Sequence, residues 1–441
     1  MSATSTLTKP ASSLQSPLRH GRSPASQNAP RPAAAVRHVQ VPRYIQGICY
    51  LWTMVCTSSN IKVEFVPYID WITCLALFVW LSRYAKADRL LPKFLLIGAV
   101  LFAGFTAERY LDAGVWAGKL AVIFLFLASF QQVPELARVA FRAFIAAIYV
   151  NVLLIALSMI GVPGVSEVVG AYGRRATILN YPGSLWHTSL GATFYFSYLL
   201  SCAATFSVRT CLGLIACLTV MWCDGSRTGF LLLLCIPAML TLVLFIESRI
   251  SAVWPAVFGL FVLTMFLLSL FNADDQSAIG RFLPMLKGGA DTTGMLTTID
   301  STRFDMLQYA LDLISAHPIA GNGIGAASIE TNVPGMERMV VHNGYLQAWA
   351  DLGLVGLLAY IAVVGAWIPS TGLYLSIIQR RSDPFERAFY YNALFMLFCF
   401  NVCLLFHPLS YEWSEWIQFV IPFAALTSMV ARSPARRPAH A

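Results

Sequence analysis

The composition of this 441-residue chain excludes a soluble globular protein. Hydrophobic residues make up 57% of the sequence and charged residues only 12%, which leaves too little polar surface to cover a water-soluble fold. The formal net charge is +8, but no basic run alternates with aromatic residues, so a nucleic-acid-binding protein is not indicated. The solvent for most of the chain is predicted to be lipid.

The chain is predicted to be an all-α polytopic membrane protein with about twelve transmembrane helices. Apolar runs of roughly 18 residues can each cross a hydrocarbon core of about 30 Å as a helix, the form that pairs its backbone groups internally. In chain order, the predicted spans are 44–58, 66–82, 90–106, 113–131, 140–161, 184–207, 209–223, 227–246, 252–271, 344–368, 389–406 and 413–430.

The remaining segments are predicted to be two tails and one large loop. Residues 1–43 carry Ser, Pro, Ala and Arg without apolar periodicity and are predicted to be a disordered cytoplasmic tail. Residues 44–271 hold the first nine spans, 272–343 form the large polar loop, 344–430 hold the last three spans, and 431–441 form a second cytoplasmic tail.

The distribution of basic residues predicts the orientation of the spans. If the N-terminal tail is cytoplasmic, 20 of the 30 Lys and Arg residues fall in cytoplasmic segments, as the positive-inside rule expects. Both termini are therefore predicted to be cytoplasmic and the large loop to face the other side. The ten cysteines lie within or at the ends of hydrophobic segments, which indicates buried thiols and predicts no disulfide and no metal site.

Within the large loop, the sequence predicts short helices. Phe304, Leu307, Leu311 and Ile314 recur at helical spacing, which indicates an amphipathic helix lying on the membrane surface or on the helix bundle. The pair at 317–318, His-Pro, ends this helix. A tight turn, Gly-Asn-Gly-Ile-Gly, follows at 321–325, and a further helix runs from 342–344 into the tenth span.

Two arginines and one histidine are the leading site candidates. An unpaired guanidinium at the outer end of a span is costly, so Arg227 is predicted to bind an anion; pairing with Asp224 or with lipid headgroups is the alternative. Arg303 opposes the dipole of the helix that it opens, and its alternative is a solvated surface position. His342 lies at the mouth of the helix before the tenth span and is predicted to be a general base, a role that suits imidazole; its alternative is a plain surface position.

Four further features are weaker candidates. Adjacent Arg174 and Arg175 are expected to contact lipid phosphate rather than substrate. Lys119, about one turn inside the fourth span, is either functional or extends outward to Asp112 or Glu108. The turn at 321–325 offers N–H groups that suit a phosphate, but most such turns are only turns. No metal-ligand cluster or nucleotide-binding loop is present in the sequence.

These pieces, taken in order, resemble one family. The matching stretches are 226–229 (Ser-Arg-Thr-Gly), Arg303-Phe304, 317–323 (His-Pro-Ile-Ala-Gly-Asn-Gly), 342–347 (His-Asn-Gly-Tyr-Leu-Gln) and 351–357 (Asp-Leu-Gly-Leu-Val-Gly-Leu). Together they resemble the O-antigen ligase and Wzy-type polysaccharide polymerase superfamily. The match is densest over about 226–360, and the rest of the chain agrees mainly in topology.

The resemblance implies a GT-C-like glycosyltransferase at the periplasmic face of a bacterial inner membrane. Its donor would be an undecaprenyl-diphosphate-linked glycan, and its acceptor another glycan or lipid A core. The residues matching Arg227 and Arg303 would hold the diphosphate and His342 would activate the acceptor hydroxyl, with Asn343 beside it as a secondary substrate contact. No metal or other cofactor is implied; membrane lipids and other polysaccharide assembly proteins are the further partners.

Three alternatives stay open on the sequence. Within the family, the moderate size of the loop favours a polymerase or a lipopolysaccharide ligase over the protein-glycosylating branch, and of the first two the polymerase is slightly preferred. A twelve-helix secondary transporter has the same general plan, although no repeat of the 226–229 or 342–347 stretch occurs in the other half of the chain. A non-catalytic component of a polysaccharide export complex is the third.

Overall fold

Helices make up most of the computed structural model, which describes residues 40–432 except for several gaps. The described segments are 40–57, 68–85, 90–165, 185–202, 205–224, 226–248, 259–260, 305–333 and 336–432. The predicted tails therefore lie almost wholly outside the described residues. So do the predicted ninth span, 252–271, apart from residues 259–260, and the first part of the polar loop.

The helices are numbered here in chain order. Helices α1 to α8 are Arg43–Cys56, Ile69–Leu81, Leu90–Thr106, Tyr110–Phe130, Pro134–Met159, Leu185–Ser201, Val208–Asp224 and Arg227–Ile246. Helix α9 covers residues 305–316, and strands β1 and β2 follow at Ser328–Val333 and Met336–Val340. Helices α10 to α13 are Gly344–Val364, Thr371–Gln379, Pro384–Cys403 and Trp413–Arg432.

The predicted helical membrane class is confirmed. Four described segments are long and apolar enough to cross a membrane: Tyr110–Phe130, Pro134–Met159, Gly344–Gln379 and Trp413–Arg432. Three shorter apolar helices accompany them, at Leu90–Thr106, Val208–Cys223 and Leu231–Ile246. Eleven of the twelve predicted spans coincide with a described helix, but their total number as membrane spans stays a prediction.

The polar loop also contains a β-hairpin, whereas the sequence analysis predicted only helices there. Strands β1 and β2 are antiparallel, with Ser328 opposite Val340 and a shift of register between Glu330 and Val333. The signal was present in the sequence, because the Pro-Gly pair at 334–335 separates the strands and is typical of a turn. The all-α prediction therefore holds for the described bundle, and the hairpin adds two short strands to the loop.

Helix α12 is surrounded by other helices and is buried along most of its length. It packs on α6, α11 and α13, and residues 387–397 are buried without interruption. A second core joins α1, α4 and α13 through aromatic rings: the centroid of the Trp413 ring is 5.2 Å from that of Trp52 and 5.2 Å from that of Phe126. Aromatic pairs at this distance stabilise a core beyond their buried area.

The ion pairs among the described residues form two groups. One group is Arg138–Glu386, Arg381–Glu386, Arg387–Glu247 and Arg432–Glu135. The other is Lys119–Glu412 and Arg109–Asp112. The first group joins segments that the charge distribution predicts to be cytoplasmic, and the second joins segments that it predicts to face outward.

Helix α10 is interrupted at Gly353, where the backbone has φ 71° and ψ −175°. This left-handed conformation suits glycine, since a side chain there is strained. The N–H of the next residue, Leu354, leaves the helix and donates to the carbonyl oxygen of Pro318 at 3.1 Å. The break therefore opens one side of α10 to the segment that follows α9.

The glycine-rich turn at 321–325 fills this break. The carbonyl oxygens of Ala350 and Asp351 accept hydrogen bonds from the N–H groups of Asn322, at 2.9 Å, and Gly323, at 3.0 Å. The turn thus supplies a partner for the carbonyl of Ala350, whose usual helical donor, Leu354, bonds to Pro318 instead, and it also pairs with the carbonyl of Asp351. Unpaired backbone groups are costly in a low-dielectric bundle, so the turn and the break stabilise each other.

Replacing Gly353 with alanine should destabilise this junction. The new Cβ would lie 2.1 Å from the carbonyl oxygen of Ile319, and the left-handed conformation alone costs about 1–2 kcal/mol for a residue with a side chain. We expect Gly353→Ala to lower the midpoint of thermal unfolding of the purified protein. The matched control is Gly118→Ala in α4, where nothing lies within 4 Å of the added Cβ; equal midpoints for the two variants would contradict the prediction.

Candidate functional site

His342 lies between β2 and α10, with a half-buried side chain. Its Nδ1 is 2.8 Å from the carbonyl oxygen of Val340. A carbonyl only accepts hydrogen bonds, so in the neutral ring Nδ1 carries the proton and Nε2 carries the lone pair. This is the tautomer that a base acting through Nε2 requires.

The residue before His342 is held by the loop. The N–H of Val341 donates to the carbonyl oxygen of Ala327 at 3.0 Å. The N–H of Ala327 in turn donates to Oδ1 of Asp351 in α10 at 2.8 Å. Two hydrogen bonds and one intervening residue therefore connect α10 to the backbone beside the imidazole.

Asp351 is a buried carboxylate that binds the glycine-rich turn. It is 2% exposed, and it accepts from the N–H groups of Gly325, at 3.2 Å, and Ala327, and from Nε2 of Gln347 at 3.4 Å. Because a buried carboxylate is costly unless it is hydrogen-bonded, these contacts are expected to fix the turn. Asp351 belongs to the 351–357 stretch of the family resemblance, which implied no role for it.

Gln347 links α10 to the connection between α12 and α13. Its Oε1 accepts from the N–H of Leu409 at 2.7 Å, and its Nε2 is the donor to Asp351. Gln347 and Asp351 are four residues apart, so both lie on one face of α10. Polar residues at this spacing inside an apolar span were a signal that the sequence analysis missed.

Asn343 is the N-cap of α10. Its Oδ1 accepts from the N–H groups of Tyr345, at 3.1 Å, and Leu346, at 3.0 Å, as capping asparagines do. The N–H of Gly344 donates to the carbonyl oxygen of Leu404 at 2.7 Å. The amide oxygen of Asn343 therefore serves the helix, and its substrate contact stays a prediction that would involve the amide nitrogen.

The N–H groups of the glycine-rich turn are used within the fold. Besides Asn322 and Gly323, the N–H of Ile324 donates to the carbonyl oxygen of Ala103 in α3 at 3.3 Å, and Gly325 donates to Asp351. The turn therefore has no N–H group left among residues 322–325 for a phosphate, which favours the alternative that it is a structural turn.

The buried face of α9 overlaps the predicted one only at Ile314. Met306, Ala310 and Ile314 are buried, whereas Leu307 and Leu311, assigned to the apolar face by the sequence, are 37% and 43% exposed. The buried stripe packs against the ends of the loop and of α10, at Ala327, Val341 and Ala350. The tertiary contact selects this stripe, and it places α9 on the bundle, one of the two predicted positions.

Lys119 pairs with Glu412, which precedes α13. Its Nζ also lies 5.5 Å from the centroid of the Trp71 ring, a cation–π distance. The predicted partners on its own end of α4 are therefore wrong; Asp112 pairs with Arg109 instead, at 2.6 Å. Lys119 joins α4 to the same 407–412 connection that Gln347 contacts.

The arginines of the predicted site are described only in part. Outside the described residues lie Arg174, Arg175 and Arg303. Arg227 is the first residue of α8, and its description is limited to its backbone position. The Oγ of Ser226 caps α8 by accepting from the N–H of Gly229 at 3.2 Å, which accounts for the serine in the Ser-Arg-Thr-Gly stretch.

The central part of the chain is similar to a known protein family. Residues 212–361 match the family model for O-antigen ligase; among curated proteins, none matches the chain. The matched segment runs from α7 to α10 and contains Arg227, Arg303, His342 and Asp351. The match covers about a third of the 441 residues, and it supports the predicted relation of the chain to the O-antigen ligase and Wzy-type superfamily.

Proposed function

We propose that the protein transfers a glycan from undecaprenyl diphosphate to an acceptor hydroxyl at the periplasmic face of a bacterial inner membrane. It would act as a polysaccharide polymerase or as an O-antigen ligase. The observation that carries the proposal is the family match over residues 212–361, because this segment contains Arg227, Arg303 and His342. The tautomer of His342 supports its role as the base.

In the proposed reaction, the acceptor oxygen bonds to the anomeric carbon of the donor sugar as the sugar–phosphate bond breaks. The acceptor proton passes to Nε2 of His342, and undecaprenyl diphosphate leaves with the bonding electrons. Arg227 and Arg303 would stabilise the charge that develops on the phosphates, since guanidinium groups are always charged and bind phosphate oxygens in pairs. In this way the two arginines would take the place of a divalent metal.

The proposed topology has twelve spans in a GT-C-like bundle, with both termini in the cytoplasm. The grouping of the ion pairs supports this orientation, because each group joins segments predicted on one side. The end of α10 next to His342 contacts the 407–412 connection through Gln347. That connection contains Glu412, the partner of Lys119 in the outward group of ion pairs. A site there would meet a lipid diphosphate at the membrane surface.

Polymerase and ligase would differ in the glycan left by a deletion strain. A polymerase deletion should leave single repeat units in place of long chains. A ligase deletion should leave free polymer and uncapped lipid A core. A secondary transporter, the candidate from another class, would instead leave its substrate unmodified on one side of the membrane.

Alanine at Arg227, Arg303 or His342 should abolish most of the glycan made by a host that depends on this protein. Loss of a general base costs about 10²–10⁴-fold in rate, and loss of one donor to a developing anion costs about 10²–10³-fold. The measurement is the surface glycan, separated by gel electrophoresis, with the amount of membrane protein checked by immunoblot.

Matched controls exist for both residue types. His317 and Arg209 are exposed, and neither is placed in the proposed site, so His317→Ala and Arg209→Ala should leave the glycan unchanged. Normal glycan from all three site variants at equal protein level would exclude the catalytic roles proposed here. Arg227→Lys should not restore the wild-type rate, because an ammonium group lacks the paired donors.

Asp351 is proposed to position His342 through Ala327 and Val341. Asp351→Asn replaces one acceptor oxygen with a donor that faces a backbone N–H group, so the loop should shift beside the imidazole. We expect kcat to fall by about tenfold to 100-fold with little change in KM, measured on purified enzyme. Asp312→Asn, on the exposed side of α9, is the matched control; an unchanged kcat for Asp351→Asn would refute the positioning role.

A further inference from the structure

A cavity of about 670 Å³ lies at the end of α10 remote from His342. Its walls come from the start of α3, the ends of α4, α10 and α13, and the segment from 365 to 374. The volume falls within the range of about 300–1,000 Å³ that is typical of ligand sites. The cavity therefore has the size of a binding site and is separate from the one proposed for catalysis.

The walls carry both apolar and polar side chains. Ile361, Phe419 and Phe423 line the apolar part, whereas Lys93, Gln131, Gln132 and Thr427 contribute polar groups. Since these walls belong to apolar helices, the apolar part is suited to hydrocarbon chains. A small polar metabolite would leave that part of the cavity uncovered.

The side-chain amide of Gln131 indicates that the ligand has a polar group. The residue is 8% exposed and lines the cavity, and no hydrogen bond joins its side-chain amide to the described residues. An amide that borders a cavity with many apolar walls gains from a hydrogen-bonding partner inside the cavity. A group in the cavity that accepts or donates a hydrogen bond would satisfy it, and a purely hydrocarbon chain would not.

The positive charge of Lys93 indicates that the ligand carries a negative charge. It lies in the first turn of α3, where a cation opposes the helix dipole. A phosphate beside this turn would interact favourably with both the ammonium group and the positive end of the helix. The charge distribution also predicts this end of α3 on the cytoplasmic side, where basic residues meet lipid headgroups.

We propose that the cavity is a binding site for one membrane phospholipid. Its phosphate lies at Lys93 and Gln131, and its acyl chains lie along Ile361, Phe419 and Phe423. The tail of a polyprenyl donor fits less well, because it carries no polar group for Gln131. A bound phospholipid bridges α3, α4, α10 and α13, so it braces two helices, α3 and α10, that contact the glycine-rich turn.

Lipid titration followed by native mass spectrometry tests the site. The full-length protein, purified in a non-ionic detergent, is titrated with dioleoyl phosphatidylethanolamine, dioleoyl phosphatidylglycerol or dioleoylglycerol. These probes share their acyl chains, and the last lacks the phosphate. We expect both phospholipids to bind about tenfold more tightly than dioleoylglycerol, as the loss of a charge-assisted hydrogen bond implies.

Two variants assign the binding to this cavity. Lys93→Gln should reduce phospholipid affinity to the level of dioleoylglycerol, and Gln131→Leu should weaken it as well. Arg380→Gln, an exposed basic position at the end of α11, should bind like wild type. Equal binding of the three lipids, or wild-type binding by both cavity variants, would overturn the proposal.

A third variant covers the case in which either polar substitution prevents folding. Ala362→Phe adds a ring to the wall of the cavity and leaves Lys93 and Gln131 in place. Loss of phospholipid binding by this variant supports the site. Binding at wild-type affinity would overturn it.

Discussion

The exchange of backbone hydrogen bonds between α10 and the glycine-rich turn is the constraint on which the rest of the site depends. The break at Gly353 leaves the carbonyl of Ala350 without its usual helical donor, and the turn at 321–325 pairs with it. Glycine is required on both sides, since a Cβ at Gly321 would lie 2.5 Å from the carbonyl oxygen of Asp351. Two family stretches that look unrelated in the sequence are therefore the two halves of one contact.

This contact places polar groups at the start of α10. Asp351 accepts a hydrogen bond from the N–H of Ala327, and the carbonyl oxygen of Ala327 accepts one from the N–H of Val341. The backbone on the N-terminal side of His342 is therefore fixed. The cap made by Asn343 fixes the other side. The same stretch of α10 reaches the 407–412 connection through Gln347, and the Lys119–Glu412 pair joins that connection to α4. The carbonyl oxygen of Val340 selects the tautomer of His342, and this bracing holds the backbone that carries the base.

The sequence predicted well whatever depends on composition and length. Apolar runs in lipid have one way to pair their backbone groups, so helix positions followed directly, and the ordered motifs identified the family that the comparison confirmed. The predictions failed where a side chain or a backbone group has several possible contact partners. The face of α9, the partner of Lys119 and the role of Asp351 depend on contacts between segments far apart in the chain. The β-hairpin was missed because the loop was read for helical spacing alone.

The most direct test of the account is transfer by the purified protein. Proteoliposomes are supplied with an undecaprenyl-diphosphate-linked glycan and a glycan or lipid A core acceptor, and both products are followed by mass spectrometry. The account predicts one undecaprenyl diphosphate released for each glycan joined to an acceptor. A donor that stays intact, or that crosses the bilayer without cleavage of its sugar–phosphate bond, would contradict it.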